Sequence, residues 1–346
     1  MNLVNATPFG AMALPSADRD GSDLLLVVVA ARFAIPAPSS ATALVLPTPM
    51  QPPPPLADVY RDDPASSSLE VEGQSAYCRP ATDIYLTGEA CAPGVRPVTE
   101  MDVRIRVGPC SLGLHVAGER IWLSSPNHGA VPSDPEPFTR MPLVWERAYG
   151  GVAPDSSEQQ PSYEPRNPVG CGVGASAEAL LGARLPNIEH QSRRLRRVGD
   201  RAVPVGTGPL ARSWQPRKGY AGTYDEAWRR DRAPLWPHDF DERFFNAAPQ
   251  DLQAQPHLTG GEPVRLEGLH PEGVIAFELP ALNFAIHSRF ADREVRQSPI
   301  LDGLHIDTGA LELTLYYRAA VPAPLALIRH RETLLRLREP WEAAGS

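Results

Sequence analysis

Few side chains in this sequence have the type and spacing that catalysis requires. Glu146 sits in the stretch Pro142 Leu143 Val144 Trp145 Glu146 Arg147 Ala148 Tyr149 Gly150 Gly151, and Asp225, Asp239 and Asp241 follow downstream. Two carboxyl groups can share general acid and base work when one is protonated and the other ionised, so Glu146 with Asp225, or Asp239 with Asp241, would suit a hydrolase acting on cell-wall or carbohydrate substrates. Simpler roles fit the local sequence better. Glu146 beside Arg147 reads as one half of an ion pair, and Asp239 and Asp241 read as turn caps. His238, Asp239 and Asp241 offer nitrogen and oxygen donors to a metal, but the other histidines are scattered singly and complete no ligand set.

Other chemistries lack their signatures. Gly174 Ala175 Ser176 Ala177 Glu178 departs from the G-x-S-x-G nucleophile elbow at its last position. Gly170, Gly172 and Gly174 do not make a dinucleotide fingerprint, and no G-x-x-x-x-G-K run occurs. Cys78, Cys91, Cys110 and Cys171 form no C-x-x-C pair, so free buried thiols in a reducing compartment are expected. The arginines Arg193, Arg194, Arg196 and Arg197, with the weaker run Arg229, Arg230 and Arg232, read as solvated faces or anchors for an acidic protein partner. No cofactor and no metal is expected.

Composition narrows the frame that must carry these residues. A chain of 346 residues, 42% hydrophobic and 21% charged, has the balance of a soluble globular protein. Its net charge of −8 argues against nucleic acid, whose phosphates are held by Lys and Arg. The longest apolar run, Leu24 to Ala31, is too short to cross a bilayer, and the acids before it do not suit a secretory leader. A cytoplasmic location is expected. Proline is abundant, 39 residues, and interior proline breaks helices, so many short strands joined by turns are predicted.

The predicted fold is mainly β: an antiparallel sandwich-like scaffold with a long irregular central segment and a few short helices. Residues 1–125 read as a β-rich half, 126–261 as a central segment rich in Pro, Gly and Trp, and 262–346 as a second β-rich part with a short terminal helix. Leu24 to Ile35 is a buried strand candidate, with Thr42 to Leu46 as a short partner. In Met101 to Val107, Val103, Ile105 and Val107 alternate with Asp102, Arg104 and Arg106. Leu112 to Val116 and Arg120 to Leu123 suggest a hairpin through Ala117 Gly118 Glu119, and further hairpins are predicted through His270 Pro271 Glu272 Gly273 and through Thr308 Gly309 Ala310. Ala175 to Ala183 suits two helical turns, and Ala326 to Glu339, with Leu327, Leu334, Leu335 and Leu337 among Arg and Glu, suits an amphipathic helix.

The central segment carries Trp145, Trp214, Trp228 and Trp236, too many aromatics for a disordered stretch. Trp, Tyr and Arg dominate interface hot spots, so Trp145, Arg147, Tyr149, Trp214, Arg217, Tyr224, Trp228 and Trp236 are candidates for a partner-binding surface. Glu146, Asn167, Asp225, Asp239 and Phe240 are candidates for holding the segment in shape.

The ordered stretches Pro142 to Gly151, Asn167 to Gly170, Leu185 to Glu189, Trp214 to Arg217 with Ala221 to Asp225 and Trp228, Pro237 to Phe240 with Phe244 to Pro249, and Gly260 to Glu262 resemble an uncharacterised-domain family found beside bacterial type VI secretion effectors. Asp83 to Gly88 and Asp102 to Gly108 extend the likeness. Cys171 follows the Asn167 Pro168 Val169 Gly170 turn where the resemblance leads one to expect a larger polar or basic residue. The resemblance implies an adaptor or chaperone, not an enzyme. It would load a secreted effector, often one bearing a PAAR-like domain, onto the VgrG spike. The alternatives are the hydrolase above and a permanent structural part of the spike or baseplate.

Overall fold

The computed structural model describes residues 1–38, 45–127, 129–157, 159, 162–174, 176–200, 202–323 and 327–338. The longest strand, Asp23–Ala34, follows from the Leu- and Val-rich run, whose members from Leu24 to Ala31 are all buried. A strand covered on both faces needs apolar side chains at every position, not every second one. It pairs with Gly10–Ala17 on one side and Glu312–Pro322 on the other, inside a seven-stranded sheet that continues through Ile300–Asp307, Thr82–Thr87 and Gln253–Ala254.

A five-stranded sheet combines Ile188–His190, Cys110–Ala117, Glu100–Val107, Pro263–Glu267 and Ile275–Glu278. The alternation of Val103, Ile105 and Val107 is obeyed, with all three in the core. A four-stranded sheet runs Leu3–Asn5, His330–Leu337, Phe284–Phe290, Glu294–Gln297. Val27 and Val29 from the first sheet, Ile105 and Leu266 from the second, and Phe284, Ile286 and Leu335 from the third meet in one continuous apolar core. The mainly β reading holds, and all three stretches of the chain contribute strands to shared sheets.

The five-stranded sheet is antiparallel throughout, but the other two are mixed. Thr82–Thr87 runs parallel to Ile300–Asp307, and Leu3–Asn5 parallel to His330–Leu337. Parallel neighbours need a long crossover, and the whole central segment supplies one. The terminal helix expected from Ala326 to Glu339 is corrected to a strand: residues 327–329 make one tight turn and His330–Leu337 is extended, residues 326 and 339 lying outside the described set. Thr333 and Leu335 point into the core at a spacing of two, and hydrogen bonds to neighbours on both sides override the helical pattern. The hairpin through Ala117 Gly118 Glu119 is also absent. Cys110–Ala117 pairs instead with Glu100–Val107, while Trp122–Ser125 pairs with Gly129–Pro132. The hairpins through 270–273 and 308–310 form as expected. Most of Thr42 to Leu46 lies outside the described residues, and Leu46–Pro47 pairs with Ala34 and Phe33. Of Ala175 to Ala183, Ala175 lies outside them too, and Ala177–Leu180 is helical under a Ser176 cap.

His305, on Ile300–Asp307, contacts Thr87 Oγ1 at 2.9 Å. Burial, with Arg32 adding to it, holds its imidazole below the ordinary 6.5. The unfolded chain then takes up a proton that the folded chain refuses. Stability is therefore expected to fall as pH drops below 6.5 towards the folded-state value, and to be fully present above it. Thermal melts at pH values on either side of 6.5 check this, and His305→Gln should flatten the difference.

Candidate functional site

The central segment is built from its motifs outward. Asn167, fully buried, donates from Nδ2 to the carbonyls of Trp145 (2.9 Å) and Tyr149 (3.0 Å), closing the Pro142 to Gly151 stretch onto the Asn167 Pro168 Val169 Gly170 turn. Gly151 has φ +84°, and a Cβ there would meet the Gly170 carbonyl at 2.1 Å, so the double glycine is required by close backbone approach. Asn167→Ala takes this donor from both carbonyls, leaving that of Trp145 with the Ala148 N–H alone. A loss of about 2 kcal/mol in unfolding free energy is expected, read by chemical denaturation.

Leu185 to Glu189 is tied to the same stretch. Asn187 donates its backbone N–H to the Arg147 carbonyl and Nδ2 to the Ala117 carbonyl, and buried Glu189 pairs with Arg120 at 2.8 Å. Arg147 bridges Asn187 Oδ1 and Glu119, and Arg184 reaches the other Glu119 oxygen. Burial would raise the Glu119 carboxyl, but hydrogen bonds from Arg147 and Arg184 outweigh it and hold the group below its ordinary range.

Beneath lies a buried ionic network. Arg217, 1% exposed, donates to both carboxylate oxygens of Glu72 and to the carbonyls of Phe244 and Leu210. Asp83, Asp302 and Arg318 come from three adjacent strands of the seven-stranded sheet. Asp302 occupies a β-bulge between Leu301 and Gly303, which aims its carboxylate at Arg318 and towards Arg79. Gln74 Oε1 accepts from both Arg79 and Arg318 at 2.9 Å. Asp83 accepts from Tyr85, Asn246 and the Ala247 N–H. Burial pushes its carboxyl up, against the opposing pull of Arg79.

Trp145 and Trp214 stack edge to face at 6.0 Å, with Trp145 Nε1 donating to the Gly208 carbonyl. A groove of about 440 Å³ opens here, lined among others by Trp145, Leu210, Gln215, Tyr220, Arg243 and Pro249. The Arg243 guanidinium lies 4.4 Å over the Tyr220 ring and pairs with Asp241, holding that carboxyl below its ordinary value. Arg243 also lines a shallower depression with Phe240 and Asp239. Asp239 in turn fixes Thr223, next to the exposed Tyr224, whose ring meets Trp228 at 4.7 Å.

The family described as an uncharacterized protein conserved in bacteria (DUF2169) matches residues 20–318. The chain belongs to that family. No curated protein and no solved structure matches it. The DUF2169 match spans every strand and loop that builds the groove and the network beneath it.

Within this DUF2169 chain the expected residues divide. Trp145, Trp214 and Arg217 are corrected from partner-binding to packing: 4%, 5% and 1% exposed, they are held by stacking and by the Glu72 pair. Arg147 and Tyr149 are half-buried, and Trp236 packs on Phe240, Phe244 and Phe245. Tyr224 and Trp228 remain at the surface. Glu146 accepts from the Ser68 N–H and hydroxyl in place of the ion pair expected beside Arg147, which pairs with Glu119 instead. Asp225 caps the helix Glu226–Asp231, and Phe240 is buried.

Sequence reading missed Glu72, Gln74, Arg79, Asp83, Asp302 and Arg318. A charge set inside an apolar strand, as Asp83 before Ile84 and Arg318 after Tyr317, was the available signal. Among the described residues no group of His, Cys, Asp and Glu is placed to hold a metal, and no helix is long and apolar enough to cross a membrane. The four thiols are free. Burial pushes Cys171 up to about 11, which keeps it protonated and unreactive near neutral pH.

Proposed function

We propose that this protein is a non-enzymatic adaptor or chaperone that grips a secreted type VI effector, through a PAAR-like domain where one is present, and helps load it onto the VgrG spike. One observation carries the reading: stretches widely separated in sequence converge on the groove, and Arg243 lines both it and a neighbouring depression with Asp239, whose carboxylate holds Thr223 beside the exposed Tyr224. The groove offers the Tyr220 ring with the Arg243 guanidinium over it and the amides of Gln215, Gln250 and Gln253, which suit the backbone and side chains of another polypeptide. The resemblance of the motifs to proteins found beside type VI effectors supplies the kind of partner. The acids considered for hydrolysis are engaged elsewhere. Both oxygens of Glu146 bind Ser68, and Asp225 caps a helix.

The test is co-expression with the product of the adjacent gene. The two proteins should co-purify, the neighbour should be insoluble when made alone, and the adaptor should stay in the producing cell. A neighbour that is soluble alone and never captured would overturn the reading. Recovery of this chain in secreted particles at a fixed ratio to VgrG would replace it with a structural part of the spike.

A further inference from the structure

A second surface, on the four-stranded sheet, has a different chemistry. Along Phe284–Phe290, Phe284, Ile286, Ser288 and Phe290 are buried, so His287 and Arg289 face outward. The register sets His287 between Arg296 and Leu334, and Ala285 beside Arg336. Arg338, just past the last strand, donates to Ser298 Oγ. Ala285, His287, Arg296, Leu334, Arg336 and Arg338 line an open cleft of about 470 Å³, and among the described residues no Asp or Glu lines it. Among the described residues neither Arg296 nor Arg338 forms an ion pair.

We propose that this cleft docks an acidic, extended segment of a partner polypeptide, its carboxylates paired with Arg296 and Arg338. Charge complementarity carries the choice. The chain as a whole has a net charge of −8, yet Arg296 and Arg338 meet here with no acid among the described lining residues. One boundary limits the size of the ligand. At one edge of the cleft His287 contacts Glu294 at 2.9 Å, and beyond it Arg289 pairs with Glu332 at 2.6 Å, so the positive field ends there. A short run of carboxylates matches so small a field, whereas a nucleic acid needs a longer basic track. The Ala285 and Leu334 side chains between the cations give the intervening apolar residues a surface. This docking surface does not depend on the groove.

The test uses the full chain and a short labelled peptide alternating Glu and Val, followed by fluorescence anisotropy. The wild type should bind it, with affinity falling as salt rises. Arg296→Gln with Arg338→Gln should weaken binding about tenfold at unchanged melting temperature, and a Gln-for-Glu peptide should bind the wild type no better than the acidic peptide binds the variant. If the double variant melts early, the single Arg296→Gln, at an exposed position, is read in its place. Equal binding by wild type and variant would overturn the proposal. So would tighter binding of a single-stranded oligonucleotide of equal charge, or full displacement of the peptide by inorganic phosphate at matched ionic strength.

Discussion

Arg217→Ala is expected to lower unfolding free energy by about 3–5 kcal/mol, the cost of leaving one member of a buried pair alone. Glu72, 3% exposed, would keep only Arg212 at 3.6 Å, a side chain that is itself 42% exposed and screened by water. The carbonyls of Leu210 and Phe244 would also lose their donor. Arg217→Lys should recover only part of the loss, because a single ammonium cannot bond both Glu72 oxygens and both carbonyls in that fork. Arg217→Met with Glu72→Leu should recover more than Lys does, since an apolar pair strands no charge. Denaturant midpoints for these variants check the order. A loss below about 1 kcal/mol for Arg217→Ala would mean that the pair does not organise the segment.

Asp302→Ala should cost as much, about 3–5 kcal/mol, for a different reason. Arg79 would keep Asp83 at 3.5 Å, but Arg318, 2% exposed, would be left with only the neutral oxygens of Gln74 and Ala76. Burial already pulls the Arg318 guanidinium below its ordinary value, and Asp302 is the strongest force against that. Asp302→Asn, which keeps shape and acceptor but drops the charge, should fall between wild type and Asp302→Ala. Adding Arg318→Met to Asp302→Ala should restore part of the loss, a coupling that a double-mutant cycle measures directly.

Strand patterns were legible wherever one physical rule governed them. The apolar run Leu24 to Ala31 could only be a strand covered on both faces, and Val103, Ile105 and Val107 could only share one face. The C-terminal segment misled because Leu327, Leu334, Leu335 and Leu337 fit a helix as well as a strand. Its partners, Leu3–Asn5 and Phe284–Phe290, are not local, and tertiary pairing decided the outcome. The cap role of Asp241 could be read because it acts on the Arg243 N–H two positions on, whereas Asp239 reaches the Thr223 N–H 16 positions away and Asn167 the Trp145 carbonyl 22 positions away. The burial of Arg217 could not, since Glu72 lies 145 positions away. The same holds for Trp145 and Trp214. Ring content is equal in cores and interfaces, and only packing separates them.

What survives at the surface is the exposed Tyr224 ring, edge to face with the half-buried Trp228. The decisive measurement is capture of the neighbouring gene's product by Tyr224→Ser, set against the melting temperature of the same variant. The account predicts that capture falls about tenfold or more while melting stays close to wild type, as expected for a hot-spot ring that supports a partner and not the core. Undiminished capture by a variant that melts normally would contradict it.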